Sequence, residues 1–177
     1  MPPVTKPLIF AALSALLAGC GLTQSMTDST ASTARGIFYK QVNTLHLDIS
    51  ARTAMNTDAT DMSGLSVPTL VRVYQLRSSK SVDKATYERL LGDDDRLLGG
   101  DLLDTRAVVV KPGEGAQLNV PMDKDAQFVS VVALFRQPDT ELNTWRLTLT
   151  RDDLNPDRAR VIELGDNRLT LRPLVKE

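Results

Sequence analysis

The sequence is poor in residue types on which many protein functions depend. It contains one cysteine, one histidine and few aromatic residues, which make up 5% of the chain. A single cysteine excludes an internal disulfide, and one cysteine with one histidine falls short of the ligand set of an ordinary zinc site. The folded part must therefore be stabilised by packing, and we expect no metal site.

An excess of one charge is also lacking. The chain has 21 basic and 22 acidic side chains, a net charge of -1 at pH 7, and its Lys and Arg residues are scattered among acids. Non-specific nucleic-acid binding needs a concentrated basic surface. We therefore expect no nucleic-acid partner.

The apolar segment near the start is too short to span a bilayer. Leu8–Leu17, broken only by Ser14, provides roughly half of the ~20 residues that a transmembrane helix requires. It follows one cation, Lys6, and ends in Leu17-Ala18-Gly19-Cys20, which is typical of a bacterial lipoprotein signal with its lipobox. We expect cleavage before Cys20, which removes residues 1–19 as a signal peptide.

The lipobox predicts a covalent anchor. Cys20 is expected to carry a diacylglycerol on its thiol and an N-acyl chain on its new amino terminus, and each buried methylene contributes ~0.8 kcal/mol to membrane binding. Gly21 stands where Asp would resemble the inner-membrane retention signal of enteric lipoproteins, which favours the outer membrane, facing the periplasm. Residues 20–35, dominated by Thr, Ser and Ala, are expected to form the acylated N-terminus and a flexible tether.

From residue 36 onward the dominant hydrophobic period is two. Leu45, Leu47 and Ile49 alternate with polar residues, which predicts a half-buried strand. The segment Leu70–Leu76 is apolar on both faces except near Arg72, which predicts a central strand. Turn signals separate six later runs rich in Val, Leu and Thr, at 105–110, 116–120, 127–136, 144–150, 160–164 and 168–171. The sequence predicts an all-β domain over 36–177, a two-sheet antiparallel β-sandwich of about eight strands.

One stretch, near residues 81–98, breaks this pattern. Ser81-Val82-Asp83 can cap a helix that runs to about Leu91, with Gly92 as its stop. We expect a short helical insertion between strands 2 and 3, packed on the sandwich by Leu90, Leu91, Leu97 and Leu98.

The connection between the first two predicted strands, Arg52–Val67, is longer than a hairpin needs. Connections above ~12 residues are uncommon inside a compact domain and are often binding loops or disordered segments. Met55, Met62 and Leu65 are expected to be exposed there, and methionine suits adaptable protein contacts. From the residues alone, a binding loop and an unstructured insertion have equal weight.

Catalysis has little support in the residues. His46 lies on the polar face of its strand, with Asp48 and Ser50 nearby, which favours a solvated sheet residue over the base of a periplasmic hydrolase. Asp93, Asp94 and Asp95 lack the spacing of a calcium loop and are expected to be solvated. A further alternative is a carrier of a hydrophobic ligand, because antiparallel strands can close around a cavity.

In their order and spacing, these segments resemble the TssJ family, the SciN-type outer-membrane lipoproteins of the type VI secretion system. The resemblance covers nearly the whole chain. It rests on the lipobox at Cys20, the first strand with Asn56 beyond it, Val71-Arg72-Val73-Tyr74-Gln75-Leu76, the helical insert, and Val131-Val132-Ala133-Leu134-Phe135-Arg136 followed by Trp145-Arg146. It implies a transthyretin-like β-sandwich with added helical segments and no enzyme activity.

The resemblance also implies partners. Members of the family bind the periplasmic C-terminal region of TssM, an inner-membrane protein, and with TssL they complete a trans-envelope complex. The family's TssM-contacting element is the loop between the first two strands, which corresponds here to Arg52–Val67. On this basis the predicted contact residues are Met55, Asn56, Thr57, Asp58, Thr60, Asp61 and Met62.

Overall fold

The structure, a computed structural model, describes residues 41–58, 60 and 64–174. They belong to one compact unit, Gln41–Glu177. The predicted signal peptide, the lipobox residues Leu17, Ala18 and Gly19, the acylated Cys20 and the predicted tether lie outside the described residues. Two of the predicted contact residues, Asp61 and Met62, also lie outside them.

In the described part of the chain, eight strands form two four-stranded sheets. The strands are β1 (Thr44–Ala51), β2 (Thr69–Leu76), β3 (Leu102–Val110), β4 (Gly115–Pro121), β5 (Phe128–Ala133), β6 (Arg146–Thr150), β7 (Arg160–Gly165) and β8 (Arg168–Leu171). The first sheet has the order β4-β1-β7-β8 and the second has the order β3-β2-β5-β6. The predicted all-β, two-sheet sandwich is confirmed, and β2 is a central strand as expected.

One strand pair departs from the expected antiparallel pattern. Strand β1 pairs antiparallel with β4, from Thr44 opposite Pro121 to Ser50 opposite Gly115. On its other side it pairs parallel with β7, from Leu47 opposite Arg160 to Ala51 opposite Leu164. Strand β1 is therefore hydrogen-bonded along both edges in the middle of its sheet.

Alternation along the strands builds the core between the sheets. In β1 the apolar residues Leu45, Leu47 and Ile49 are buried, while the intervening residues are half-buried. In β2 the inward residues are Val71 and Val73, whose cross-strand neighbours on β5 are also buried. Burial of each such side chain contributes about 1.5–3 kcal/mol, which compensates for the absence of a disulfide in the folded domain.

A second apolar layer lies on the outer face of the second sheet, under the helical insert. The insert comprises α1 (Lys80–Asp83), α2 (Tyr87–Gly92), α3 (Asp94–Leu98) and a 3-10 turn, Gly99–Asp101. Its helices bury Val82, Leu90 and Leu98. The predicted insertion between strands 2 and 3 is confirmed.

Polar contacts fix the insert to the outer face. Asp94 Oδ2 accepts hydrogen bonds from Arg72 Nη1 (3.0 Å) and from the Tyr74 hydroxyl (2.6 Å), both on β2. Burial, with the adjacent Asp94 carboxylate, raises the pKa of the Tyr74 hydroxyl well above its ordinary value. The expectation that Asp94 is a solvated acid is therefore wrong, because this carboxylate joins the insert to the sheet.

Two details of the insert also differ from the sequence analysis. Leu91 is 44% exposed, because it lies about 100° around α2 from the buried Leu90 and faces away from the sheet. The side chain that caps α2 is Thr86, whose Oγ1 accepts from the Arg89 amide (3.4 Å).

The connections between strands fall at two opposite ends of the sandwich. We call one end the loop end and the opposite end the entry end. At the loop end β1 leads into β2, β3 into β4, β5 into β6 and β7 into β8. At the entry end, residues 41–43 lead into β1, and the helical insert joins β2 to β3. The connection that the family resemblance singles out therefore projects from the end opposite to the one at which the chain enters β1.

Candidate functional site

The β1–β2 connection begins as a continuation of the first sheet. The Arg52 amide donates to the Leu164 carbonyl (2.8 Å), and the Arg52 carbonyl accepts from the Gly113 amide (3.2 Å). Arg52 Nε also donates to Glu163 Oε1 (2.5 Å), and Arg172 donates to Glu163 Oε2. These hydrogen bonds, from Arg172 foremost and then from Arg52, lower the pKa of the Glu163 carboxyl.

Asn56 turns the connection back toward the second sheet. It has a left-handed backbone conformation (φ 48°), which asparagine tolerates better than most residues, and it is 2% exposed. Its Nδ2 donates to the Pro68 carbonyl (3.2 Å), and its Oδ1 accepts from the Arg136 amide (2.7 Å). One side chain thus joins the start of the loop, its end and the segment that follows β5.

The position of Met55 differs from the prediction. It was expected to be exposed in a polar loop, yet it is fully buried in the core. The turn at Asn56 and the bond from the Met55 amide to Ser66 Oγ (3.3 Å) fold the connection back on itself, which places residue 55 inside. Met55 and Asn56 therefore stabilise the connection from within and present no surface to a partner.

Thr57 is held by the β7–β8 turn. The Thr57 amide donates to Asn167 Oδ1 (2.9 Å), and the Thr57 carbonyl accepts from Asn167 Nδ2 (2.8 Å). The side chain of Asn167 thus bonds both main-chain polar groups of Thr57, as a neighbouring strand would. Asn167 itself has a left-handed conformation (φ 58°) in that turn.

Asp58 connects the loop to residues 136 and 137. Its Oδ1 accepts from Gln137 Nε2 (2.5 Å), and its Oδ2 lies 3.3 Å from Arg136 Nη2. Within the loop, Oδ1 also accepts from the Thr60 amide (2.9 Å) and hydroxyl (2.6 Å). The half-buried Asp58 carboxylate therefore fixes the last described residues before the tip.

Beyond this root the described residues become exposed. Thr60 is exposed, Gly64 has a left-handed conformation (φ 58°), and Leu65 is 63% exposed, as expected from the sequence. The loop thus has an ordered root and an exposed tip. Of the predicted contact residues, Thr57, Asp58 and Thr60 lie on the accessible part, and the assignment of individual contacts stays a prediction.

Sequence reasoning missed the residues that hold the loop from outside. Arg136, Gln137 and Asn167 are distant in sequence, and only the fold brings them to the β1–β2 connection. The one local signal was Asp166-Asn167 after Gly165, a dipeptide that favours left-handed turn conformations.

The residues considered for catalysis lie elsewhere, on β1. His46 Nδ1 is 2.6 Å from Oδ1 of Asn119, its cross-strand neighbour on β4. Asp48 and Ser50 follow on the same face at period two. His46 is thus part of an ordinary polar cross-strand pair.

Residues 41–58, 60 and 64–174 contain neither a metal-binding cluster nor a membrane-spanning helix. No group of three or more His, Cys, Asp or Glu side chains could hold a metal ion there. No helix in these ranges has the length and apolar character needed to span a bilayer.

Comparison with known proteins gives two kinds of match. The family model described as "Type VI secretion lipoprotein, VasD, EvfM, TssJ, VC_A0113" matches residues 43–167, which is more than half of the chain and includes every described strand except β8. No curated protein matches the chain.

Solved structures match over the sandwich. A chain of a structure described as "Type VI membrane complex" is 44% identical, with a TM-score of 0.71, covering 75% of this chain and 100% of that one. A chain of "T6SS protein TssM C-terminal domain (869-1107) from EAEC" is 41% identical, with a TM-score of 0.68 and the same coverage. The lipoprotein TssJ1 from Pseudomonas aeruginosa is 25% identical, with a TM-score of 0.60, covering 75% of this chain and 98% of that one.

The family model spans strands β1 to β7, the helical insert and the whole β1–β2 connection, and the similar structures match this chain over nearly their full lengths. The chain therefore belongs to the TssJ (SciN-type) family of type VI secretion lipoproteins.

Proposed function

We propose that the protein is a non-catalytic structural lipoprotein of the type VI secretion membrane complex. In this role it binds the periplasmic C-terminal region of TssM through its β1–β2 connection and, with TssL, helps to build the trans-envelope complex. The observation that supports this most directly is its 41–44% identity to chains in structures described as a TssM C-terminal domain and as a type VI membrane complex.

The geometry of the β1–β2 connection suits a binding role. Its root is fixed by Asn56, by the Thr57–Asn167 pair and by the Asp58 carboxylate, whereas Thr60 and Leu65 at the tip are exposed. A loop whose ends are already ordered loses less conformational entropy on docking than a free segment does. This combination favours a binding loop over an unstructured insertion.

The membrane anchor is the second part of the proposal. Cys20, cleaved and modified with a diacylglycerol and an N-acyl chain, would attach the protein to the periplasmic face of the outer membrane. Its support is the lipobox, the glycine at position 21 and membership of a lipoprotein family.

The interior of the sandwich favours this role over that of a hydrophobic-ligand carrier. The inward positions of the two sheets are filled by large apolar side chains that are fully or almost fully buried, among them Leu45, Leu47, Ile49, Ile162 and Leu164. A cleft of about 490 Å³ lies on the helical insert instead, and its lining includes Glu88, Arg89, Asp93 and Arg96. Charged walls of this kind do not suit an apolar ligand.

The test is a pull-down from detergent-solubilised envelopes with the acylated full-length protein. Beside the wild type we would use a variant that lacks residues 60–64, which spares Thr57 and Asp58 and so preserves the root of the loop. Changing Glu88 and Arg96 to Ala on the exposed side of the insert provides the matched control. We expect TssM to co-purify with the wild type and with the control, and to be lost with the shortened loop.

The possible outcomes test the proposed function and the proposed contact loop separately. If TssM does not co-purify with the wild type, the proposed function is wrong. If it is retained by the shortened variant, the function stands and the contact lies elsewhere on the sandwich.

A further inference from the structure

Exposed apolar side chains are concentrated at the loop end. In the described part of the chain, five large apolar residues are markedly exposed: Leu65, Leu91, Val109, Leu142 and Leu174. Three of them, Leu65, Val109 and Leu142, lie at the loop end, in three different segments. An exposed apolar side chain beside a binding loop is a candidate anchor for the same partner.

Leu142, in the β5–β6 connection (residues 134–145), is the most exposed of these residues at 76%. A defined turn presents it. Asp139 Oδ1 accepts from the amides of Glu141 (3.1 Å) and Leu142 (2.8 Å), and Asn143 has a left-handed conformation (φ 53°). The position of this leucine is therefore set by local hydrogen bonds, although its side chain contacts little of the protein.

The β5–β6 connection is joined to the β1–β2 connection by side chains. Near its start, the Arg136 amide donates to Asn56 Oδ1, the Arg136 guanidinium faces Asp58, and Gln137 Nε2 donates to Asp58. The two connections are thus held in one arrangement, and a partner that contacts one of them meets the other beside it.

We propose that the β5–β6 connection forms the second half of the TssM-binding surface, with Leu142 as an apolar anchor that enters a pocket of the partner. This inference rests on the function proposed above and extends the contact to a second segment. Apolar anchors surrounded by polar groups, such as Asp58 and Arg136 here, are the usual composition of a protein interface. Because the anchor is already positioned, the interface gains apolar burial with little further ordering.

The test measures binding of the purified acylated protein, in detergent, to the purified periplasmic C-terminal region of TssM by biolayer interferometry. The informative variants are Leu142→Asp and the milder Leu142→Ala. Leu91→Asp, which introduces the same charge at an exposed leucine of the helical insert, is the matched control. We expect Leu142→Asp to raise the Kd at least about tenfold, Leu142→Ala to raise it several-fold, and Leu91→Asp to leave it within about twofold of the wild type.

The variant that lacks residues 60–64 serves as the reference for the first half of the surface. If this variant loses binding while Leu142→Asp binds as the wild type does, the two-segment surface is overturned and the proposed function stands. If the wild type itself does not bind, both fail. A loss of binding by Leu142→Asp and Leu91→Asp alike would also overturn the proposal, because it would report a general effect of added charge. Urea denaturation of each variant checks that the sandwich is unchanged, as expected for a side chain so exposed.

Discussion

At the scale of single residues, Asn56 shows how one side chain orders two connections. It is almost fully buried, its backbone is left-handed, and both polar atoms of its amide are hydrogen-bonded to main-chain groups in other segments. An amide is suited to this position because it offers a donor and an acceptor together and tolerates φ > 0.

Replacing Asn56 with Ala is expected to destabilise the domain by about 2–4 kcal/mol. The substitution leaves the Arg136 amide and the Pro68 carbonyl without this partner and places a residue with a Cβ but no compensating hydrogen bond in the left-handed region. Urea denaturation followed by circular dichroism measures the change.

Asn143→Ala is the matched control, since Asn143 has a similar conformation (φ 53°) but its side chain makes only one long contact, to the Glu141 carbonyl (3.4 Å). It should lose about 1 kcal/mol, from the backbone alone. Equal losses for the two variants would show that the Asn56 hydrogen bonds contribute nothing measurable.

Glu163 is predicted to make stability depend on pH. Its pKa in the folded protein lies below the ordinary value of 4.5, because Arg172 and Arg52 donate hydrogen bonds to its ionised form. The carboxylate therefore stabilises the native state above about pH 4.5, and this contribution is lost as the pH falls through the lowered folded pKa. Wild type should exceed Glu163→Gln in unfolding free energy at pH 7.

The pH dependence of that difference is the decisive observation. Denaturation at pH 7 and at about pH 2.5 should show the difference shrinking as Glu163 becomes protonated. A difference that stays constant over this interval would contradict the proposed role of the ionised carboxylate.

At the scale of elements, Arg146 couples the helical insert to β6. Its guanidinium donates to the carbonyls of Val82 (2.5 Å), Asp83 (2.7 Å) and Ala85 (2.9 Å) at the end of α1, and it lies 5.0 Å from the centre of the Trp145 ring. Tyr87 meets the same ring edge-on (5.1 Å between centroids) and donates to the Phe135 carbonyl, and burial raises its pKa to about 12. A short helix such as α1 depends on such external contacts, because it has too few internal hydrogen bonds.

Arg146→Ala is expected to loosen the insert while the sheets remain folded. Amide hydrogen exchange, measured by mass spectrometry, should accelerate over residues 80–98 and stay near wild-type rates in β1 and β7. Arg96→Ala is the control, since the Arg96 side chain is 87% exposed and makes a single ion pair at 3.9 Å. Uniform acceleration throughout the domain would instead indicate that the insert and the sandwich unfold together.

The sequence is informative about elements to the extent that their signals are local. The period of two in β1, the two-sided apolar pattern of β2 and the break at the insert are local, and each gave the right element. The parallel β1–β7 pair and the contacts of Asn56 with Arg136 join residues far apart in the chain, and no local pattern specifies them. Met55 was misjudged for the same reason, because its burial depends on a turn that distant residues hold in place.

At the scale of the whole molecule, the proposed anchor and the folded domain should be separable. The sandwich has its own core, and Cys20 lies outside the described residues. Cys20→Ser is therefore expected to abolish outer-membrane attachment and to leave the melting temperature of the domain unchanged. Membrane fractionation and thermal denaturation of the two proteins test this, and outer-membrane retention of the variant would refute the anchor.

The placement of β1 also has a mechanical consequence. This strand alone joins the entry end, where the chain arrives at residues 41–43, to the β1–β2 connection, a length of about 26 Å. Tension between a membrane anchor and a partner on that connection would run along β1. Its hydrogen bonds to β4 and β7 would then be strained together, in shear, instead of opening one after another.

We expect this geometry to resist force, and single-molecule pulling can measure it. Handles at Gln41→Cys and Thr60→Cys would load β1 along its length and shear it out of its sheet. Handles at Thr60→Cys and Pro112→Cys would instead separate β1 from β4 one hydrogen bond at a time, starting at the loop end. The first arrangement should break at clearly higher force, and equal forces would contradict it. A protein built in this way could bear tension between two membranes, because the force would act along a strand that is hydrogen-bonded on both edges.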